Sequence, residues 1–153
     1  MERELRLPDV EATQGFGTRL GQVLRAGDVL VLTGDLGAGK TTLTQGIAEG
    51  LGVRGPITSP TFVIARVHPS LVGGPALVHV DAYRLGSTLE LDDLDLDADL
   101  EASVTIIEWG AGLAEQLSPV RLEITLTGHE ERTARLVGVG PRWDEVVAAG
   151  GIA

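Results

Sequence analysis

One stretch, Val29–Thr42, constrains this chain more than any other. It reads Val-Leu-Val-Leu-Thr-Gly-Asp-Leu-Gly-Ala-Gly-Lys-Thr-Thr. Val29–Thr33 is a short apolar run of strand type. Gly34–Thr41 then fits G-x-x-x-x-G-K-[ST] at every position. Leu43, Ile47 and Leu51 follow at four-residue spacing on one helical face, with Gly52 as the C-terminal stop. Strand, glycine loop and helix in this order form the context a phosphate-binding loop requires.

The residue types suit that chemistry. Glycines let successive backbone N–H groups turn inward and approach phosphate oxygens. The backbone of Leu36, Gly37, Ala38 and Gly39 supplies this nest, and Lys40, Thr41 and Thr42 begin the helix. Its first turn adds unsatisfied N–H groups and the positive end of a helix dipole. Lys40 reaches β- and γ-phosphate oxygens as a point charge, and the Thr41 hydroxyl is placed to ligate Mg²⁺. Lys40 is also the only lysine of the chain, so it is not one of many solvated surface lysines.

Composition narrows the setting. At 153 residues the chain reads as one domain with a real core, residues 1–153. The absence of cysteine excludes disulfides, thiolate zinc sites and cysteine nucleophiles, and suits a reducing cytoplasm. The N-terminal residues mix both charge signs and do not resemble a secretory signal, and no apolar run approaches a membrane span. The net charge of −10, from 12 basic and 22 acidic residues, argues against a direct grip on a nucleic-acid backbone. A role near RNA would run through a partner protein.

Around the loop the pattern is of mixed strands and helices. Leu5–Pro8 reads as a short strand, Asp9 as an N-cap, and Phe16, Leu20, Val23 and Leu24 as one helix face ended by Gly27. Thr61–Val67, Ala76–Asp81 and Val104–Glu108 read as strands. Ala111–Leu117 reads as a short helix, and Ser87–Glu90 as a capping box that opens another. Val120–Leu126 and Arg132–Val139 suggest an antiparallel hairpin at a sheet edge. Trp143–Ala149 reads as a terminal helical turn, with a tail over 144–153 that frays. The acidic run Leu89–Glu101 fails as a calcium loop, because Leu100 replaces the required glycine; it reads as a solvated face. His68 and His129 read as loop residues, and His79, facing away from Val78 and Val80, as structural with no evident helper.

A P-loop site needs a second carboxylate, usually at the C-terminal end of a neighbouring parallel strand. Asp81 and Glu108 both end strands. Either suits Mg²⁺ beside Thr41, with the other orienting or activating the attacking water. Tyr83, Arg84 and Trp109 lie close by in sequence.

The P-loop, Thr58-Ser-Pro-Thr-Phe62, His79-x-Asp-x-Tyr-Arg-Leu85 and Ile107-Glu-Trp109 occur together in this order. In this the chain resembles the bacterial TsaE proteins, ATPases of tRNA threonylcarbamoyladenosine biosynthesis, from Leu7-Pro-Asp9 through Arg132-x-Ala-Arg135. The resemblance implies an α/β fold: a single P-loop NTPase domain, with central parallel strands flanked by antiparallel ones and helices on both faces. It implies that Thr41 and Glu108 hold Mg²⁺, that Asp81 is needed for activity, and that ATP or ADP is also touched near Val10 and by Arg132. It implies partnership with the transferase TsaD and with TsaB, on tRNA that reads A-starting codons, with the transfer step left to TsaD. Ala82, where the family often has Leu, and Val63-Ile-Ala, where Thr-Leu-Val is more usual, are departures that touch no expected ligand. The residues alone also allow a P-loop small-molecule or protein kinase, although no arginine-bearing lid segment is evident. A GTP switch built on Asn-Lys-x-Asp is excluded, because no second lysine exists.

Overall fold

The computed structural model describes residues 2–34, 39–53, 65–81, 102–108, 120–128 and 131–148. These form strands β1 (Glu2–Leu7), β2 (Val29–Gly34), β3 (Ala65–His68), β4 (Ala76–Asp81), β5 (Ser103–Glu108), β6 (Arg121–Gly128) and β7 (Arg132–Val139). Helices are α1 (Val10–Val23), α2 (Lys40–Leu51) and α3 (Pro141–Ala148). All strands join one seven-stranded sheet in the order β1-β7-β6-β2-β5-β4-β3.

Strand β2 lies at its centre, and Val29–Leu32 are all buried. An apolar run without alternation marks a parallel strand covered on both faces. It pairs in parallel with β5 on one side and β6 on the other, and β4 continues the parallel set beyond β5. Antiparallel strands flank this core: β7 and then β1 on one side, β3 on the other. The expected α/β architecture is therefore present.

Three local expectations are corrected. The β6–β7 hairpin is not the edge, because β1 pairs along the outside of β7 through six residue pairs. That strand starts at Glu2, three residues before the apolar signal at Leu5, because ladder hydrogen bonds hold polar residues as well as apolar ones. His68 is a buried strand residue, the last of β3.

The ladder registers align Leu30 and Leu32 with Ile106, Leu122 and Ile124 on one sheet face. These join Phe16 and Leu20 of α1, Leu43 and Ile47 of α2, and Trp143 and Val147 of α3 in one core cluster. All three described helices thus cover the same face. Val31, Val80 and Ile107, on the opposite face, are also buried. The helices expected over Ala111–Leu117 and after Ser87 lie outside the described residues, as does the acidic run Leu89–Glu101.

Helices α1 and α2 meet backbone to backbone. A Cβ on Gly17 would lie 2.6 Å from Leu43 O, and one on Gly46 would collide with Gln14 O. One turn on, Gly21 faces Ile47 O and Gly50 faces Thr18 O in the same way. Contacts that rise together along both helices mean that the helices run parallel. Two glycines four apart on each helix let the axes approach this closely. Both N-termini therefore lie at the same end of the molecule.

Helix α3 closes the opposite end. Trp143 packs fully buried against Gly138, where a Cβ would stand 2.7 Å from the Trp143 Cβ. Arg142 donates to both carboxylate oxygens of Asp28, at 3.1 and 2.8 Å, and to Val23 O at 2.8 Å. The helical turn expected over Trp143–Ala149 is present, and it continues through Ala148 into the stretch from 144 expected to fray; burial of Trp143 and Val147 explains the difference.

Candidate functional site

Parallel strands gather their C-terminal ends along one edge of a sheet, and ligands of open α/β sheets bind there. At this edge end β2 at Gly34, β4 at Asp81 and β5 at Glu108. Register places Glu108 beside Leu32, next to the strand that feeds the glycine loop, and Asp81 directly beside Glu108. The two strand-ending residues expected from sequence are therefore register partners.

Helix α2 starts at this edge. Its N-cap, Gly39, has φ 101°, a left-handed conformation that favours glycine, and no side chain caps the helix. Gly39 thus offers no side-chain oxygen to the first-turn N–H groups. Lys40, buried at 7% exposure, donates from Nζ to Gly34 O at 2.6 Å. That bond fixes the ammonium at the end of β2. Thr41 and Thr42 follow in the first turn, half-buried. Leu36, Gly37 and Ala38 lie outside the described residues.

Two further elements reach the same place. Arg132 opens β7, and its side chain lies over Gly39: a Cβ there would meet Arg132 Nε at 2.8 Å and Cδ at 2.9 Å. Glycine at 39 is thus favoured by its left-handed backbone conformation, and a side chain there would also displace Arg132. The glycine seam carries the start of α1 to the same end as that of α2. Val10, its first residue, is 51% exposed, and Asp9 caps the helix by accepting from Ala12 N at 2.7 Å. The structure so brings Gly39, Lys40, Thr41, Arg132, Asp81, Glu108 and the Val10 helix start to one end of the sheet.

One contact was not legible in the sequence. His79 Nε2 lies 2.9 Å from Glu108 Oε2, with the two side chains 0% and 5% exposed. His79 is in register with Ile106, two residues before Glu108, so the ring reaches diagonally across two parallel strands. The reading of His79 as without a helper is thereby corrected; seeing the partner required knowing that β4 and β5 are adjacent. Tyr83, Arg84 and Trp109 lie outside the described residues.

The donors suit a hard cation. A hydroxyl at Thr41 and a carboxylate at Glu108 are oxygen ligands of the kind Mg²⁺ prefers. Among the described residues no three His, Asp or Glu side chains form a protein-only metal cage. Magnesium bound through phosphates needs none, because it keeps waters and takes only one or two protein ligands. Among the described residues no helix is long and apolar enough to cross a membrane.

The family described as "Threonylcarbamoyl adenosine biosynthesis protein TsaE" matches residues 7–137. The Streptomyces coelicolor TsaE protein is 57% identical over 135 residues, covering 84% of this chain and 91% of that one. The Bacillus subtilis TsaE protein is 39% identical over 142 residues, covering 91% and 87%. The crystal structure of Bacillus subtilis YdiB superposes with a TM-score of 0.77 at 33% identity, over 97% of this chain and 93% of that one. On a family match through most of its length, a shared fold and relatives of this identity, the chain belongs to the TsaE family of threonylcarbamoyl adenosine biosynthesis proteins.

Proposed function

We propose that this protein is a Mg²⁺-dependent ATPase required for the threonylcarbamoyladenosine modification of tRNA that reads A-starting codons. The observation that carries the reading is the convergence, at one sheet end, of an uncapped P-loop helix with Lys40, Arg132 and the neighbouring strand ends at Asp81 and Glu108. Family membership supplies the pathway.

Each residue then has a physical task. The α2 N-terminus and the loop backbone from Leu36 to Gly39 bind the phosphates. Lys40 exchanges its bond to Gly34 O for β- and γ-phosphate oxygens. Arg132 adds a planar, permanently charged donor beside the loop, and the segment at Val10 flanks the nucleotide. Thr41 and Glu108 would hold Mg²⁺, which supplies charge neutralisation at the phosphates. Asp81 orients or activates the water that attacks the γ-phosphorus, and cleavage releases ADP and phosphate. Transfer of the threonylcarbamoyl group belongs to TsaD, with TsaB as its partner. Contact with tRNA runs through those partners, as the charge of −10 favours. The setting is cytoplasmic.

Phosphate release should be measured with ATP and Mg²⁺ for the chain alone and with TsaD and TsaB added. The reading predicts turnover that rises when both partners are present. Intact nucleotide binding with no stimulation would argue against the assigned role, and phosphate delivered to an acceptor would favour a kinase.

A further inference from the structure

We propose that His79 is a positioning residue for Glu108, fixing the orientation of the carboxylate that holds the divalent cation. This rests on the reading of Glu108 as a magnesium ligand.

The pair sits where an apolar core is otherwise continuous. On the same sheet face, Leu77 precedes His79 along β4, and Ile106 lies beside it on β5. An imidazole there is fully buried and meets the carboxylate of a residue that is itself buried. Such a pair is a poor device for stability, because apolar side chains of similar volume usually serve as well. Geometry suggests a different task. A glutamate has three rotatable side-chain bonds, and a flexible ligand must be ordered before it can hold a cation in a tight octahedral shell. The 2.9 Å contact removes that freedom in advance. For Glu108 to accept in this contact as a cation-holding carboxylate, Nε2 would be the ring nitrogen that donates. The spacing His79-x-Asp81 follows from the same layout: the register pairs Asp81 with Glu108, and the ring one pleat behind reaches the carboxylate diagonally. Residues that orient metal-ligating carboxylates generally change metal affinity 10- to 100-fold when lost.

Two variants of similar polarity separate this role from mere packing. In His79→Gln the amide NH₂ extends to about the Nε2 position, whereas in His79→Asn it stops near Nδ1. Binding of Mn²⁺ to the ADP complex is read by electron paramagnetic resonance, beside ADP binding in excess chelator. The expected result for His79→Asn is a roughly 10- to 100-fold weaker Mn²⁺ affinity. His79→Gln should retain most of the affinity, and both variants should bind ADP in chelator as the native chain does. Equal behaviour of the two variants, or Mn²⁺ affinity unchanged in His79→Asn, overturns the inference and leaves the ATPase reading standing. A native chain that takes up no ADP overturns both. Long-range ¹H–¹⁵N spectra of the native chain need no variant. They should place the His79 proton on Nε2, and a proton on Nδ1 alone contradicts the assignment.

Discussion

Two helices begin at the same end of the molecule and are finished differently. Asp9 closes α1 with its own carboxylate, and Glu11 adds a second acid in the first turn. Helix α2 starts at a left-handed glycine, with no side-chain cap and no acid in its first turn. A capping carboxylate satisfies one of the orphan first-turn donors and complements the dipole from within. An end without a side-chain cap leaves both to other groups, and Lys40, Arg132 and Glu108 lie at this end of the sheet. Helix α1 thus carries its own anions at its start, and α2 does not.

Lys40→Ala removes the cation at the open helix end and should lower ATP turnover about 10³-fold, by steady-state phosphate release. Asp81→Ala should retain ATP binding and lose about 10²-fold in turnover, and normal turnover would remove its catalytic role.

The seam that ties the two helix starts together comes next. In an exposed helix, Gly→Ala stabilises by up to about 1 kcal/mol. At Gly50 the new Cβ would collide with Thr18 O, backbone that cannot swing aside. Gly50→Ala should therefore destabilise by about 2 kcal/mol, a fall of roughly 4–8 °C in Tm by calorimetry. A neutral or stabilising result would show that the helices can move apart.

Asp9→Ala should cost about 1 kcal/mol, the usual value of an N-cap, read by urea denaturation. The smallest effect belongs to the Arg6–Glu131 pair, whose side chains are 81% and 70% exposed. Arg6→Ala should change stability by less than about 0.5 kcal/mol.

Much of the contrast was legible before any coordinates. The P-loop strand and helix, the Asp9 cap, the Gly52 stop and the strands ending on Asp81 and Glu108 are local patterns, set by nearby residues. What escaped the sequence reading was relational. His79 meets Glu108 only because β4 and β5 are neighbours. Trp143 is buried because Gly138, 5 positions earlier, leaves room for it, a contact that no local pattern announces. The seam did leave a trace: Gly17 and Gly21 on one helix, Gly46 and Gly50 on the other, each pair four apart. Composition alone makes such glycines look like helix weaknesses; only the facing partner reveals their use.

The most direct test is calorimetric titration of a non-hydrolysable ATP analogue into the native chain and Lys40→Ala, with and without Mg²⁺. The account predicts one saturable site on the native chain, tightened by Mg²⁺ and at least tenfold weaker in Lys40→Ala. No heat of binding on the native chain, or equal binding by the variant, would contradict it.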